Sequence, residues 1–414
     1  MLIIPAILEK NFQEIKRKIK LCEGNFEIVQ IDICDGKFVK NRTWNNPIQL
    51  KKLKTKTKFE IHLMVEDPVK EINNWTFKNI RRIIAHSELL NRSIIKNLRN
   101  FKKRYSNIEL GIALNPPTPL EVLTKFPLSV FSEVLFLAVN PGKQGEKFQS
   151  IVFKKIKQFQ NFSWRPKKIK IGVDGGLDKK LVKSLFKMKI DYANIGSYLW
   201  KNFHSVLGLK LEIFLNEYGK LYSQELGIKL NKKDKNEIFK WFLASILFGA
   251  RISETIAKNT YRTFKRYNLL TPKKILKAGR DFLINPIMRE GGYVRYDGKT
   301  SDKILKICHC IIEKLNNNLN NLEKEAKDPK DLEKRIQDFY GVGPVTTQIF
   351  LRELREIWRK ADPDIGKYVK EGAKKFGLEP SLKKLKDFWQ KNKIKGYKFK
   401  NFEVALLRYG KVKE

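Results

Sequence analysis

The sequence predicts an α/β chain: a closed (β/α)8 barrel of the TIM type, followed by an all-α helix-hairpin-helix domain. Three observations carry this. Up to about Trp200, short β-branched runs alternate with amphipathic stretches, eight runs spaced roughly 20–35 residues apart. Past about Ile213 the strand signal vanishes and apolar residues recur at helical spacing. Between the two textures, Asn216–Asp234 holds Gly219, Gly227 and a lysine-rich stretch, which places a linker there and the domains at 1–215 and 220–414.

The strand runs are Leu2-Ile3-Ile4, Ile28–Ile33, Phe59–Val65, Ile83-Ile84-Ala85, Leu110–Leu114, Val134–Val139, Ile169–Val173 and Tyr192–Ile195. Helical stretches such as Phe12–Leu21, Leu120–Phe126 and Lys180–Met188 separate them. A doubly wound open sheet rarely has eight such evenly spaced units, so the barrel is preferred. In the second half Ile238–Phe248, Ala257–Tyr267, Ser301–Leu315, Leu332–Phe339, Thr346–Trp358, Asp364–Phe376 and Ser381–Gln390 read as helices, with Asn316–Asn321 as a loop.

The chain has 414 residues, 42% apolar and 31% charged, which is globular composition. Lys and Arg number 85 against 44 Asp and Glu, a formal net charge of +41 that invites an anionic partner. The surplus is even, 41 against 20 in residues 1–220 and 44 against 24 in the remainder, so charge alone marks no binding face. A lysine-rich proteome explains it equally well. Four cysteines are too few for a disulfide framework, and Cys308-His309-Cys310 lacks the further ligands a metal site needs. Without a basic, cleavable leader or a long apolar span, the chain reads as soluble and cytoplasmic.

Barrel chemistry sits at the C-terminal strand ends. There the sequence reads Gln30-Ile31-Asp32-Ile33-Cys34-Asp35-Gly36, Ile61-His62-Leu63-Met64 and Val173-Asp174-Gly175-Gly176. Two carboxylates on separate strands with a His between suit removing a proton from one face of a carbon and returning it on the other. Each residue alone is an ordinary satisfied polar group; the set is harder to dismiss. The glycine turns Asn140-Pro141-Gly142-Lys143-Gln144-Gly145, Gly175-Gly176 and Gly196-Ser197 follow the last three strands, where a phosphate can meet backbone N–H groups.

Residues 1–200 resemble the ribulose-phosphate 3-epimerase family. The resemblance lies in Ile4-Pro5-Ala6-Ile7-Leu8, Asp32-x-Cys34-Asp35-Gly36-x-Phe38-Val39-x-Asn41, His62-Leu63-Met64-Val65, His86-x-Glu88, Leu114-Asn115-Pro116, Val139-Asn140-Pro141-Gly142, Val173-Asp174-Gly175-Gly176 and Gly196-Ser197. It implies proton transfer at the carbon beside the ketone of a pentulose phosphate, with Asp32 and Asp174 as the acid/base pair. It also implies a divalent metal of the zinc, iron, manganese or cobalt type, on Gln30, Asp32, His62 and Asp174. Gln30 stands where the family has a His and should weaken that metal, because an amide is a poorer ligand than imidazole. Ala6 replaces a hydroxyl residue, and Lys143-Gln144 replaces an aromatic and a glycine.

In the second half, Phe339-Tyr340-Gly341-Val342-Gly343-Pro344-Val345-Thr346-Thr347 reads as the hairpin of a helix-hairpin-helix. Gly341, Val342, Gly343 and Thr346 are the candidate contacts to a duplex DNA phosphate. Residues 235–375 resemble the helix-hairpin-helix DNA glycosylases related to endonuclease III. That resemblance makes Asp362 a candidate catalytic acid; an N-cap ahead of Pro363 is the competing reading. The family's lyase lysine position is Val345, which leaves no nucleophile for Schiff-base chemistry, and no four-Cys cluster follows to hold an iron–sulfur centre. The leading function is sugar-phosphate epimerisation with an appended DNA-binding domain; the alternative is a DNA repair glycosylase or DNA-binding protein carrying a degenerate barrel.

Overall fold

Eight parallel strands, β1 (Leu2–Ile7), β2 (Ile28–Cys34), β3 (Lys58–Met64), β4 (Ile80–His86), β5 (Glu109–Leu114), β6 (Glu133–Leu137), β7 (Lys170–Asp174) and β8 (Tyr192–Ile195), pair in chain order, and β1 closes on β8. This is a computed structural model, and it describes residues 1–230 and 232–412. Most strand residues are apolar because both faces of a barrel strand are covered. One face packs Ile31, Ile33, Ile61, Leu63 and Ile83 into the large core shared with the outer helices. The other face points inward, where Ile84, Ala113, Leu135 and Leu137 form a small cluster of their own. Along the same inward rows run buried polar residues at even spacings: Gln30 and Asp32, Glu60 and His62, Arg82 and His86.

The outer helices start where their sequences cap them. Asn11 accepts from Glu14 N at 2.9 Å ahead of Phe12–Cys22, and Asp178 accepts from Leu181 N at 2.7 Å ahead of Lys179–Lys187. Leu120–Phe126 is not an α-helix but a 3-10 segment, Leu120–Lys125, hemmed in by Pro119 and Pro127. β6 ends at Leu137 rather than Val139, where Ala138 N turns to donate to Asp174 O at 2.7 Å.

The chain divides into two compact units, Met1–Ile213 and Phe214–Glu414, the boundary falling within the helix Phe203–Tyr218. The second unit is helical and has its own core, in which Phe350 meets Phe242 at a tilt and Trp358 edge-on, at ring separations of 4.7 and 5.5 Å. Its helices include Lys235–Phe248, Glu254–Arg266, Asp297–Leu315, Pro329–Gln337, Pro344–Leu354, Lys367–Phe376 and Leu382–Lys391, with Pro272–Phe282, Asn320–Glu325 and Phe399–Lys411 in addition. The stretch expected to be a linker is instead packed: Leu221, Tyr222, Leu226 and Ile228 are buried in this core. Its Asn231 lies outside the described residues. The Asn316–Asn321 loop is also shorter than expected, since the next helix begins at Asn320. Among the described residues, no helix is long and apolar enough to cross a membrane.

Candidate active site

Parallel pairing sets Asp32 of β2 beside His62 of β3, and Gln30 beside Glu60, while Asp174 of β7 lies beside Asn194 of β8. This register brings three side chains together at the mouth. His62 Nδ1 is 3.1 Å from Asp32 Oδ1 and 3.7 Å from Asp174 Oδ2, and the ring is buried. Beneath them Gln30 Nε2 donates to Asp32 Oδ1 at 2.8 Å and to Asp174 Oδ2 at 2.7 Å. Gln30 Oε1 accepts from Asn194 Nδ2, which also donates to Glu60 Oε1 at 2.7 Å, and Glu60 Oε2 accepts from Arg82 Nη1 at 2.6 Å. The network fixes the direction of the Gln30 amide. Glu60 can only accept from Asn194, so Asn194 offers its NH2, and Gln30 must show it an oxygen.

The electrostatics follow from this packing. Burial and the charge of Asp32 push the Asp174 carboxyl up to about 7, against the pull of His62 and the Gln30 hydrogen bond. Burial works against a charge on His62, yet the hydrogen bond and charge of Asp32, with Asp174 and Glu60, raise its pKa above the ordinary imidazole value. His62 Nε2 meets His86 Nε2 at 2.9 Å, and His86 Nδ1 lies 3.3 Å from Glu88 Oε2. Burial and the neighbouring His62 drive His86 down to about 4. Burial opposes ionisation of Glu88, but His86, Thr118 and Asn115 N hold it down at about 2. His62, His86 and Glu88 thus lie in a row at the C-terminal ends of β3 and β4.

A cleft of about 60 Å3 opens above Asp32, His62 and Asp174. It is lined by Gly142, Gly145, Gly175, Gly176, Gly196 and Ser197, so the expected phosphate turns and the acid/base residues share one cavity. Gly176 has φ +65°, and a Cβ there would sit 2.7 Å from Phe148 N, so this turn requires glycine. Gly196 is not so constrained: a Cβ would lie 3.7 Å from its nearest neighbour, Ala6 O. Asn41 Nδ2 donates to Gly142 O at 2.9 Å and Gln144 Nε2 to Leu8 O at 2.7 Å, tying the loop after β6 across the mouth.

Asp32, His62 and Asp174 each offer one ligand atom to a divalent ion, all within 4.8 Å of one another among the described residues. Gln30, counted among the ligands on sequence grounds, does not join them. It turns two N–H bonds, not its oxygen, toward the carboxylates. Three donors therefore fit a cation and the fourth does not. Asn194 and Glu60, which decide this, were missed in the sequence; the period-two polar residues in otherwise apolar strands were the available signal.

In the helical unit, Gly341 has φ +69° and turns the chain between the helices Pro329–Gln337 and Pro344–Leu354. Val342 and Thr346, expected as contacts to DNA, are buried, whereas Tyr340 and Val345 are exposed. Lys306 Nζ sits 4.0 Å over the Tyr340 ring. Asp362 caps no helix, since the next one begins at Lys367 behind Gly366. Its carboxylate is held by Arg355 and, at 2.7 Å, by Lys386 Nζ.

Fold and site together define a (β/α)8 barrel with a paired-carboxylate centre beneath glycine turns. Residues 2–200 match the model of the ribulose-phosphate 3 epimerase family. The ribulose-phosphate 3-epimerase of Bacillus subtilis is 30% identical over 186 residues, which span 43% of this chain and 82% of that protein. Those of Encephalitozoon cuniculi (28% over 193 residues, 46% and 84%) and Chlamydia trachomatis (26% over 234 residues, 55% and 96%) are similar as well. Through its barrel the chain belongs to the ribulose-phosphate 3-epimerase family.

Proposed function

We propose that the barrel epimerises a pentulose phosphate of the ribulose 5-phosphate/xylulose 5-phosphate type. The observation that carries this reading is that Asp32 and Asp174, from well-separated strands, share one amide nitrogen at the floor of a single glycine-lined cleft. One carboxylate takes the proton from the carbon beside the ketone, leaving an enediolate, and the other carboxyl delivers a proton to the opposite face. Asp174, held near neutrality, suits the proton-bearing role, with Asp32 as the base; the roles exchange in the reverse direction. The turns at Gly142, Gly145, Gly175, Gly176 and Gly196-Ser197 hold the phosphate through backbone N–H groups. A divalent cation held by Asp32, His62 and Asp174 would polarise the substrate oxygens. The deciding measurement is deuterium exchange at the substrate carbon in heavy water. Wild-type protein should exchange it and interconvert the epimers, while Asp32→Asn or Asp174→Asn should lower kcat by about 10²–10⁴-fold or more. Wild-type protein that exchanges no pentulose phosphate with any divalent metal would remove the epimerase reading.

A second reading concerns the helical unit, which we propose binds duplex DNA without forming a lyase intermediate. The supporting observation is the exposed hairpin itself: Tyr340 and Val345 outward, Lys306 against the ring, and the Lys303 stem 3.2 Å from where a Gly341 Cβ would be. Base excision through Asp362 would be monofunctional, because Val345 supplies no amine.

A further inference from the structure

The helical unit contains a second cavity, of about 120 Å3, lined by residues between Tyr222 and Lys411. Its walls combine the apolar Phe248, Ile252, Ala257, Ile349 and Leu407 with polar groups of Tyr222, Glu254, Arg352 and Lys411. Into this lining comes Arg352, from the helix Pro344–Leu354, with only 3% of its surface exposed. Its Nε is buried with no hydrogen-bond partner among the described residues. Arg355, one turn further along the chain, shows the usual arrangement, bonded to Glu403 at 2.8 Å and to Asp362. A buried guanidinium N–H left without an acceptor is unfavourable, and the nearby acids do not supply one. Glu254, the acid in the lining, is already engaged by Tyr222 OH at 3.1 Å, Lys258 Nζ at 2.7 Å and Lys411 Nζ at 3.4 Å. Glu353 is turned to the backbone N–H groups of Tyr222 and Ser223, at 2.8 and 3.0 Å.

We propose that this cavity is a binding site for a small organic anion, one carboxylate on an apolar body of about one ring in size. The planar fork of a guanidinium matches the two oxygens of a carboxylate, which supplies the missing partner. The apolar walls take the rest of the ligand, and a dry cavity of about 150 Å3 is known to hold a benzene ring. Inorganic phosphate has the charge but no body to fill the walls, and a neutral ring has the body but no charge.

Calorimetric titration of the full chain with benzoate tests this, with benzamide and inorganic phosphate as comparisons. Benzoate should bind saturably at one site, and the other two should bind at least about tenfold more weakly. Arg352→Met should weaken benzoate by about tenfold or more while leaving the melting temperature of the ligand-free protein equal or higher, because a buried N–H without an acceptor has gone. Leu407→Trp, which fills the cavity and keeps the guanidinium, should also abolish binding. The proposal fails if benzoate does not bind wild-type protein, if phosphate or benzamide binds as well, or if Arg352→Met binds benzoate unchanged. It fails equally if Arg352→Met melts lower or does not fold, since the guanidinium would then have a structural partner.

Discussion

Gln30 reaches Asp32 and Asp174 with the two hydrogens of one nitrogen and gives its oxygen to Asn194. Replacing it by His would put an imidazole beside the three donors of the candidate metal centre, so Gln30→His should bind zinc at least about tenfold more tightly in a calorimetric titration. Equal affinities would mean that residue 30 does not reach the metal. Glu88 permits a second test. Its carboxylate sits at about 2, below the ordinary value, so its stabilisation is complete above about pH 4.5 and fades as pH falls toward 2. Glu88→Gln should therefore cost about 1–3 kcal/mol in denaturant unfolding at pH 7. The gap to wild type should close near pH 2, and a gap independent of pH would assign the loss to packing. Asp32, His62 and Asp174 were legible in the sequence because strand ends are where barrel chemistry sits. The direction of the Gln30 amide was not, because it is decided by Asn194 and Glu60, 164 and 30 residues further along the chain.

At the scale of elements, the strands were read well because a β-branched run between turn residues has few other uses. The last helix, Phe399–Lys411, was not, since Phe399 through Leu406 are all buried, Lys400 and Glu403 among them, so its charged residues do not mark a solvent face. The expected linker misled for a related reason: its glycines and lysines hide five core residues, Leu230 being the fifth. The hairpin Asp338–Gly343 carries the next prediction. Gly343 has an extended φ of −103°, and a Cβ there meets open space, so Gly343→Tyr should fold and obstruct an approaching phosphate. In a mobility-shift titration at low salt it should weaken duplex binding about fivefold or more, and further than a surface change such as Lys391→Ala. Borohydride should trap no protein–DNA adduct on abasic duplex. Binding indifferent to Gly343 would make the hairpin an ordinary interhelical turn.

Taken whole, the molecule carries its +41 charge evenly, so salt dependence can separate a localised contact from a general one. A hairpin engaging about three phosphates should lose only about 40-fold in affinity between roughly 50 and 200 mM salt. A loss of about 10³-fold or more would assign DNA binding to diffuse surface charge instead. The buried line Arg82–Glu60–Asn194–Gln30 has a different kind of consequence. An imidazole that binds a metal through one nitrogen must carry a hydrogen on the other, and at position 30 that hydrogen would confront the Asn194 donor. Gln30→His alone would thus leave a buried donor unmatched, at about 1–3 kcal/mol. The gain in zinc affinity expected of Gln30→His is therefore what remains after this cost, and an acceptor at position 194 would release the rest.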